Sequence, residues 1–390
     1  MSVELVLLYL ITFIVSLDTH SLSPLIAPYS RTLGASVGLI GWIVGVFSVT
    51  NLLGNLGGGT WTDRAGRKLP LVVGLFVVGT ALLAYPALRS PYELLAVRAL
   101  HGLGSALVTP ACLAYLGDAA PPAARGRTMA LYGAAYGMSG LVGPPLGGLI
   151  RDRFGYPPVF LGLAALVLLA ALAALGQLKG GRTSQEDPEP SGGAWRALLR
   201  PRLSVSFVAA CCWMFTLGTL LVFLPLIGEE RGFTAMRVGM LFGTFALAAS
   251  LLQASPLGRL SDRWGRLPTV ALGLALIATA LVILSFLTTW GPMIGAMFLY
   301  GLGFGFLFPA KSALIADETT PLTRGKASGV FTAMFSVGMI AGTGMAGVME
   351  RWHQAAGLHP FQTAALVILT GLLWTIWVGL SARRKAEVSR

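Results

Sequence analysis

The chain has 390 residues, of which 55% are hydrophobic and 11% charged, and its formal net charge is +12. With a mean hydropathy of +0.74, too little polar surface is left to cover a soluble protein of this size, so the bilayer is the expected solvent. Only three cysteines occur, Cys112, Cys211 and Cys212, all inside apolar runs, which argues against a disulfide framework.

A helix needs about 20 apolar residues to cross the hydrocarbon layer. Twelve such runs start near Val3, Gly38, Pro70, Tyr92, Thr128, Pro158, Leu203, Val238, Pro268, Pro292, Ala327 and Phe361, numbered spans 1 to 12. Span 1 lacks a basic leader region and a small-residue cleavage site and is followed by eleven more spans, so it reads as a spanning helix and not a signal peptide. Residues 1–178 then form one six-span bundle and residues 203–382 a second. Between them, residues 179–202 break the apolar pattern with Gln185-Glu186-Asp187-Pro188-Glu189-Pro190-Ser191 and read as a cytoplasmic linker, in which Trp195 to Arg202 could form a short interfacial helix. Residues 383–390 are a basic tail. With both termini cytoplasmic, 19 Lys and Arg fall on that side and seven in the opposite loops. The positive-inside rule therefore accounts for the net charge, with no nucleic-acid partner.

The loop after span 2, Gly59-Thr60-Trp61-Thr62-Asp63-Arg64-Ala65-Gly66-Arg67-Lys68, recurs 199 residues on as Gly258-Arg259-Leu260-Ser261-Asp262-Arg263-Trp264-Gly265-Arg266. At the same offset Gly102, Gly104, Pro110, Asp118, Pro122, Arg125 and Gly126 reappear as Gly301, Gly303, Pro309, Asp317, Pro321, Arg324 and Gly325. One offset relating two segments implies a duplicated bundle. The fold class is therefore an all-α polytopic membrane protein, twelve transmembrane helices in two pseudo-symmetric six-helix bundles. The 50 glycines are read as helix-packing residues.

Ionisable groups inside the spans are few, and each costs about 2.5 to 3.5 kcal/mol at a helix centre, which marks them as functional candidates. They are Asp18 and His20 in span 1, Arg98 and His101 in span 4, and Lys311 in span 10. Asp18 is the candidate proton carrier, since a lone carboxyl in a partly dry site can load and release a proton near neutrality. It could instead pair with Arg98 or be hydrogen-bonded locally by Thr19, His20 and Ser21. Arg98 does not deprotonate, so it would tune Asp18 or contact cargo. His101 is either a packed polar residue or a relay partner. Lys311 replaces Cys112 of the first repeat, and either snorkels to cytoplasmic water or contacts cargo. Trp213 and Phe215 of span 7, with Phe304, Phe306 and Phe308 of span 10, are packing residues or an adaptable apolar wall. Asn51 and Asn55 are expected to bridge helices. No phosphate-binding loop, metal-ligand spacing or embedded Ser/His/Asp set occurs, so an enzyme, a cofactor and a metal are not expected.

These motifs resemble the major facilitator superfamily of transporters over essentially the whole chain. Gly59 to Lys68 is similar to the G-x-x-x-D-R-x-G-R-K loop after helix 2, and Gly258 to Arg266 to its counterpart after helix 8. Arg98-Ala99-Leu100-His101-Gly102-Leu103-Gly104 resembles the helix 4 motif R-x-x-x-G-x-G. Gly143-Pro144-Pro145-Leu146-Gly147-Gly148 resembles the helix 5 motif of the twelve-helix drug:proton antiporters, whereas Gly342-Thr343 departs from it in span 11. The resemblance implies that spans 1, 4, 7 and 10 line a substrate cavity holding Asp18, Arg98, Lys311, Trp213, Phe215 and Phe308, with Asp18, Arg98 and His101 in proton coupling. It implies a conformational latch at Gly59, Asp63, Arg64, Gly66 and Arg67 and at Gly258, Asp262, Arg263, Gly265 and Arg266. There Asp63 would face the start of span 11 near Lys326 to Ser328, and Asp262 the start of span 5 near Arg127 to Met129. Gly143, Pro144, Gly147 and Gly148 would form a kink in span 5. The function implied is proton-coupled export of a small hydrophobic or amphiphilic compound by a monomer in the cell (inner) membrane. The alternatives are transport of an anionic metabolite or lipid, with Arg98 and Lys311 as anion site, and a non-transporting sensor.

Overall fold

In hydrocarbon every backbone polar group has to be satisfied within the protein, and a continuous helix does this inside one segment. The computed structural model describes residues 3–120, 125–178 and 200–388, which are helical apart from short connections, with no strand among the described residues. The helices are α1 Val3–Leu22, α2 Ile26–Thr32, α3 Val37–Ala65, α4 Lys68–Ala84, α5 Pro91–Ala119, α6 Arg125–Phe154, α7 Tyr156–Gln177, α8 Pro201–Glu230, α9 Ala235–Ala254, α10 Leu260–Trp264, α11 Arg266–Phe286, α12 Trp290–Glu318, α13 Pro321–Gly344, α14 Ala346–Ala356 and α15 Pro360–Val388.

Eleven of these are long and apolar enough to cross a membrane. The twelfth long helix is α6, in which Arg125, Arg127, Arg151, Arg153 and several glycines dilute the apolar content of span 5. Span 1 is interrupted: α1 ends at Leu22, and the short α2 carries the chain on after a turn. Most of the linker lies outside the described residues, as do Trp195 to 199 of the expected interfacial helix, and α15 continues to Val388 into the basic segment.

The chain divides into two compact units, one of residues 1–187 with Leu224–Gly243, the other of 188–223 with Thr244–Arg390. The internal symmetry is carried by glycine. In the first unit a Cβ on Gly74 would lie 2.8 Å from the Gly104 carbonyl oxygen; in the second, a Cβ on Gly273 would lie 2.7 Å from that of Gly303. Both pairs are related by the 199-residue offset, so α4 on α5 and α11 on α12 are the same close crossing made twice.

The repeated loop shows why its second glycine is needed. Gly66 has φ of 79° and Gly265 of 92°, values that side chains disfavour, so each provides the chain reversal between helices. The turn glycine of the motif is thus its second one, while Gly59 lies within α3. Arg67 Nε donates to Asp118 Oδ2 at 3.1 Å, and in the other unit Arg266 Nε donates to Asp317 Oδ2 at 2.8 Å. Arg266 also bonds Ser261 and Asp262. Each loop is thereby tied to the C-terminal end of the helix carrying the repeated aspartate. Because Asp118 is more than half exposed, Asp118→Asn is expected to lower stability by no more than about 1 kcal/mol. Thermal unfolding in detergent measures this; a larger loss would show the pair to be structurally dominant.

Candidate functional site

The site in the first unit is assembled by close helix approach. A Cβ on Gly102 would collide with the Phe47 carbonyl and the Thr50 hydroxyl, so glycine lets α5 lie directly against α3. Asn55 Nδ2 donates to Asn51 Oδ1 at 2.9 Å, and Asn51 Nδ2 reaches the Gly102 carbonyl at 3.5 Å, bridging α3 to α5 as expected. Ser90 caps α5 in a reciprocal box with Glu93, and Pro91 occupies its first turn. About two and three turns on, Arg98 and His101 enter the interior.

His101 is the hub. Its Nε2 lies 2.9 Å from Asp18 Oδ2, and its Nδ1 lies 2.9 Å from the Tyr85 hydroxyl. Asp18 and His101 are both 0% exposed, and Asp18 Oδ1 has no hydrogen-bond partner among the described residues. Arg98, 8% exposed, stacks its guanidinium over the Phe47 ring at 4.7 Å and approaches the same Tyr85 hydroxyl. Tyr85 starts a single 3-10 turn at the end of α4, and its backbone carbonyl accepts from the Tyr29 hydroxyl at 2.6 Å. Asp18 therefore pairs with His101 rather than with its sequence neighbours. His20 turns elsewhere, its Nδ1 3.0 Å from the Ser139 hydroxyl and its ring edge-on to Tyr136.

This chain of groups has two self-consistent proton arrangements. With Asp18 ionised, His101 Nε2–H donates to it and Nδ1 accepts from Tyr85. With Asp18 protonated, its O–H donates to Nε2 and Nδ1–H donates to the tyrosine oxygen. Interconversion needs a proton and a change of imidazole tautomer, with no movement of heavy atoms.

The second unit lacks this chemistry. The positions equivalent to Arg98 and His101 are Met297 and Tyr300, and the Tyr300 hydroxyl bonds Thr216 at 2.8 Å. Its fully buried ionisable side chain, among the described residues, is Lys311. Contrary to snorkelling, Lys311 is 0% exposed and its Nζ has no hydrogen-bond partner among the described residues. The ammonium lies 4.7 Å from the Trp213 ring centre, 5.3 Å from Phe308, 5.2 Å from Phe331 and 4.5 Å from Phe335. The rings come from α8, α12 and α13, each position facing Lys311, so aromatic faces replace the water that the stem does not reach. Phe215 is buried as well, but its contribution is main-chain: a Cβ on Gly342 would collide with its carbonyl.

In span 5, α6 runs unbroken through Pro144 and Pro145. Gly147 lies against the Ser21 carbonyl of α1, and a Cβ on Gly148 would collide with the Ala235 carbonyl at the start of α9. At the next turn Asp152 accepts from the backbone N–H groups of Ala235 and Met236 at 3.0 and 2.8 Å, capping α9 from another helix. Arg151 to Glu229 at 3.4 Å and Arg31 to Glu230 at 2.9 Å flank this cap. Asp152→Ala is expected to destabilise by about 1 to 2 kcal/mol, the cost of removing a charged helix cap. Calorimetry of the purified chain checks it, and an unchanged midpoint would show that water replaces the cap. The side chains of Asp63, Arg64, Gly258 and Arg259, on which much of the latch expectation rests, lie outside the described ones.

Sequence reasoning missed Tyr85, Tyr29, Phe331 and Phe335, and the Arg67 to Asp118 tie. The last had a usable signal, since arginine and aspartate 51 residues apart recur in both repeats. Phe331 and Phe335 are four apart in span 11, a spacing that places both on one helix face. Tyr85 had none.

Eleven helices long and apolar enough to cross a membrane, a twelfth long helix and an internal repeat define a multi-pass integral membrane protein. The chain belongs to the Major Facilitator Superfamily, whose family profile matches residues 8–342 and again 237–389. Among curated relatives it is similar to the MFS-type transporter MJ1560 of Methanocaldococcus jannaschii, at 25% identity over 94% of this chain and 96% of that one. It is also similar to Multidrug resistance protein 1 of Bacillus subtilis, 22% identical over 99% of each chain, and to Multidrug resistance protein MdtG of Serratia proteamaculans, 26% identical over 91% and 88%. Among solved structures, a bacterial homologue of the human lysosomal transporter Spinster, inward-facing and occupied, aligns with a TM-score of 0.78 at 15% identity, covering 96% of each chain. The human organic anion transporter MFSD10 aligns with a TM-score of 0.66 at 20% identity over 95% and 98%. At these identities the two structures establish the fold alone.

Proposed function

We propose that the protein is a proton-coupled exporter of a small hydrophobic or amphiphilic compound, working by alternating access in the cell (inner) membrane with both termini cytoplasmic. The observation that carries the reading is the Asp18 carboxyl, fully buried and joined through His101 to Tyr85. A carboxyl with one oxygen unpartnered and the other on a histidine is held where its charge is costly, which is the place a coupling mechanism needs a proton to be loaded and released. Arg98 limits that cost without itself giving up a proton. The helix 5 motif of the antiporter branch and the multidrug-resistance names of several relatives support the export direction and an apolar cargo. The bundles 1–178 and 203–382, joined by 179–202, act as the two moving halves, and the repeated loops tied through Arg67 and Arg266 act as their conformational latch. One chain carries the whole function.

The test is proton movement in proteoliposomes enclosing a pH dye, with the wild-type chain and a panel of lipophilic cargoes. Cargo addition should drive proton movement opposite to cargo. Cargo equilibration with no proton movement would make the protein a facilitator and end this reading.

A further inference from the structure

Lys311 poses a problem that the proton-coupled reading does not solve. The residue at the equivalent place in the first repeat, Cys112, is a small apolar side chain whose Sγ is 3.3 Å from the Thr12 hydroxyl. In the second repeat the same place holds a lysine, completely buried, whose Nζ is a donor with no acceptor among the described residues. Cation–π contacts from four rings soften that burial but offer no lone pair. A methionine of similar length would fill the same space without desolvating a charge, so the lysine is a poor choice for packing alone. What the arrangement lacks is an anion. Trp213, Phe308, Phe331 and Phe335 supply flat apolar walls around it, and the ammonium supplies the unfilled donors.

We propose that Lys311 selects the charge of the cargo: the compound moved is a monoanionic amphiphile whose acidic head meets the Lys311 ammonium while its apolar body lies against Trp213, Phe308, Phe331 and Phe335. The same ammonium excludes lipophilic cations from the ring cluster, because it already occupies the position a cationic head would take. A carboxylate, sulfonate or phosphate monoester on a soluble compound or on a lipid presents the same chemistry. The inference rests on the transport reading for its word cargo, but its recognition step is tested by binding and does not depend on proton coupling.

The experiment uses the full chain in phosphatidylcholine nanodiscs and three probes of one aromatic body: 1-pyrenesulfonate, 1-pyrenemethanol and (1-pyrenemethyl)trimethylammonium. Binding is read by energy transfer from tryptophan to pyrene against empty nanodiscs. The wild type is expected to bind the sulfonate about tenfold or more tightly than the alcohol, a difference of about 1.4 kcal/mol, and the ammonium probe most weakly. Lys311→Met should lose that preference for the sulfonate, leave the alcohol unchanged and improve binding of the cation, whereas Lys311→Arg should keep the anion preference. Lys311→Met should also unfold at a higher temperature than wild type, as expected when a buried unpaired charge is replaced by an apolar side chain. Equal affinity for sulfonate and alcohol in the wild type would overturn the proposal, as would an unchanged sulfonate affinity or a lower melting temperature in Lys311→Met. Repeating the titration with phosphatidylglycerol in the nanodisc distinguishes the source: sulfonate displacement that depends on Lys311 identifies a lipid head, and its absence a soluble anion. Anion preference without any proton movement would leave this inference standing and remove the proton-coupled reading. Proton-coupled movement of the alcohol with no effect of Lys311→Met would do the reverse.

Discussion

Asp18→Asn is expected to abolish cargo-driven proton movement while leaving the fold and cargo binding in place. Asparagine keeps the volume of aspartate and still presents an acceptor to His101 Nε2–H, so the hydrogen bond to the α5 hub persists. It removes the only fully buried carboxyl side chain among the described residues, and with it the proposed proton site. The coupled flux should fall by about 100-fold or more, the scale on which loss of a positioned acid or base acts, and the pH dependence of transport should flatten. His101→Gln separates the roles: it retains a donor toward Asp18 but breaks the link to Tyr85, so coupling should fall by a smaller factor of about ten, and the double variant should be no worse than Asp18→Asn. Dye-reported proton flux in proteoliposomes measures all three. Undiminished flux in Asp18→Asn would return the residue to a structural role.

The second large effect is steric and has a built-in control. Gly102→Val places a Cβ carrying two methyl groups where the Phe47 carbonyl and Thr50 hydroxyl already are, in a crossing of α5 on α3 that cannot widen without displacing Arg98 and His101. Overpacking of this kind costs about 3 kcal/mol, the upper end of its usual range. Gly301→Val repeats the insult 199 residues on, against the Phe245 carbonyl and Ala248. Both should lower the unfolding temperature by comparable amounts. Only Gly102→Val should alter the pH dependence of the protein that remains folded, because Met297 and Tyr300 stand where Arg98 and His101 do. Equal effects of both on coupling would mean that the close crossing, and not the charged network, controls proton transfer.

How much of this could be read in advance follows from the range of each interaction. The spans were legible because burial in lipid is imposed residue by residue along one segment, and the duplication was legible because a single offset preserves Gly66 with Gly265 and Asp118 with Asp317. Span 5 was the least apolar by composition yet still a long helix, since packing on neighbouring helices compensates for its arginines and glycines. The ionisable residues stood out one by one, but their partners did not. Asp18 and His101 are 83 residues apart, and no local pattern distinguishes a pairing with His101 from one with Arg98, which is three residues earlier on the same helix. Lys311 was misjudged for a related reason: snorkelling is the default for a lysine near a helix end, and the rings of α8 and α13, brought in by tertiary packing, surround its amine instead.

The glycine crossings repeat in both units while the buried chemistry does not. At three equivalent positions, Arg98 and Met297, His101 and Tyr300, Cys112 and Lys311, the buried side chains differ in kind between the repeats. A duplicated scaffold with unduplicated function can change one task without disturbing the other. On the proposed reading, side chains around Lys311 are open to replacement to shift the range of cargo, since Asp18 and His101 lie on α1 and α5, helices that none of those replacements would touch. For an engineer the same separation means that libraries aimed at cargo choice belong in α8, α12 and α13, with α1 and α5 held constant.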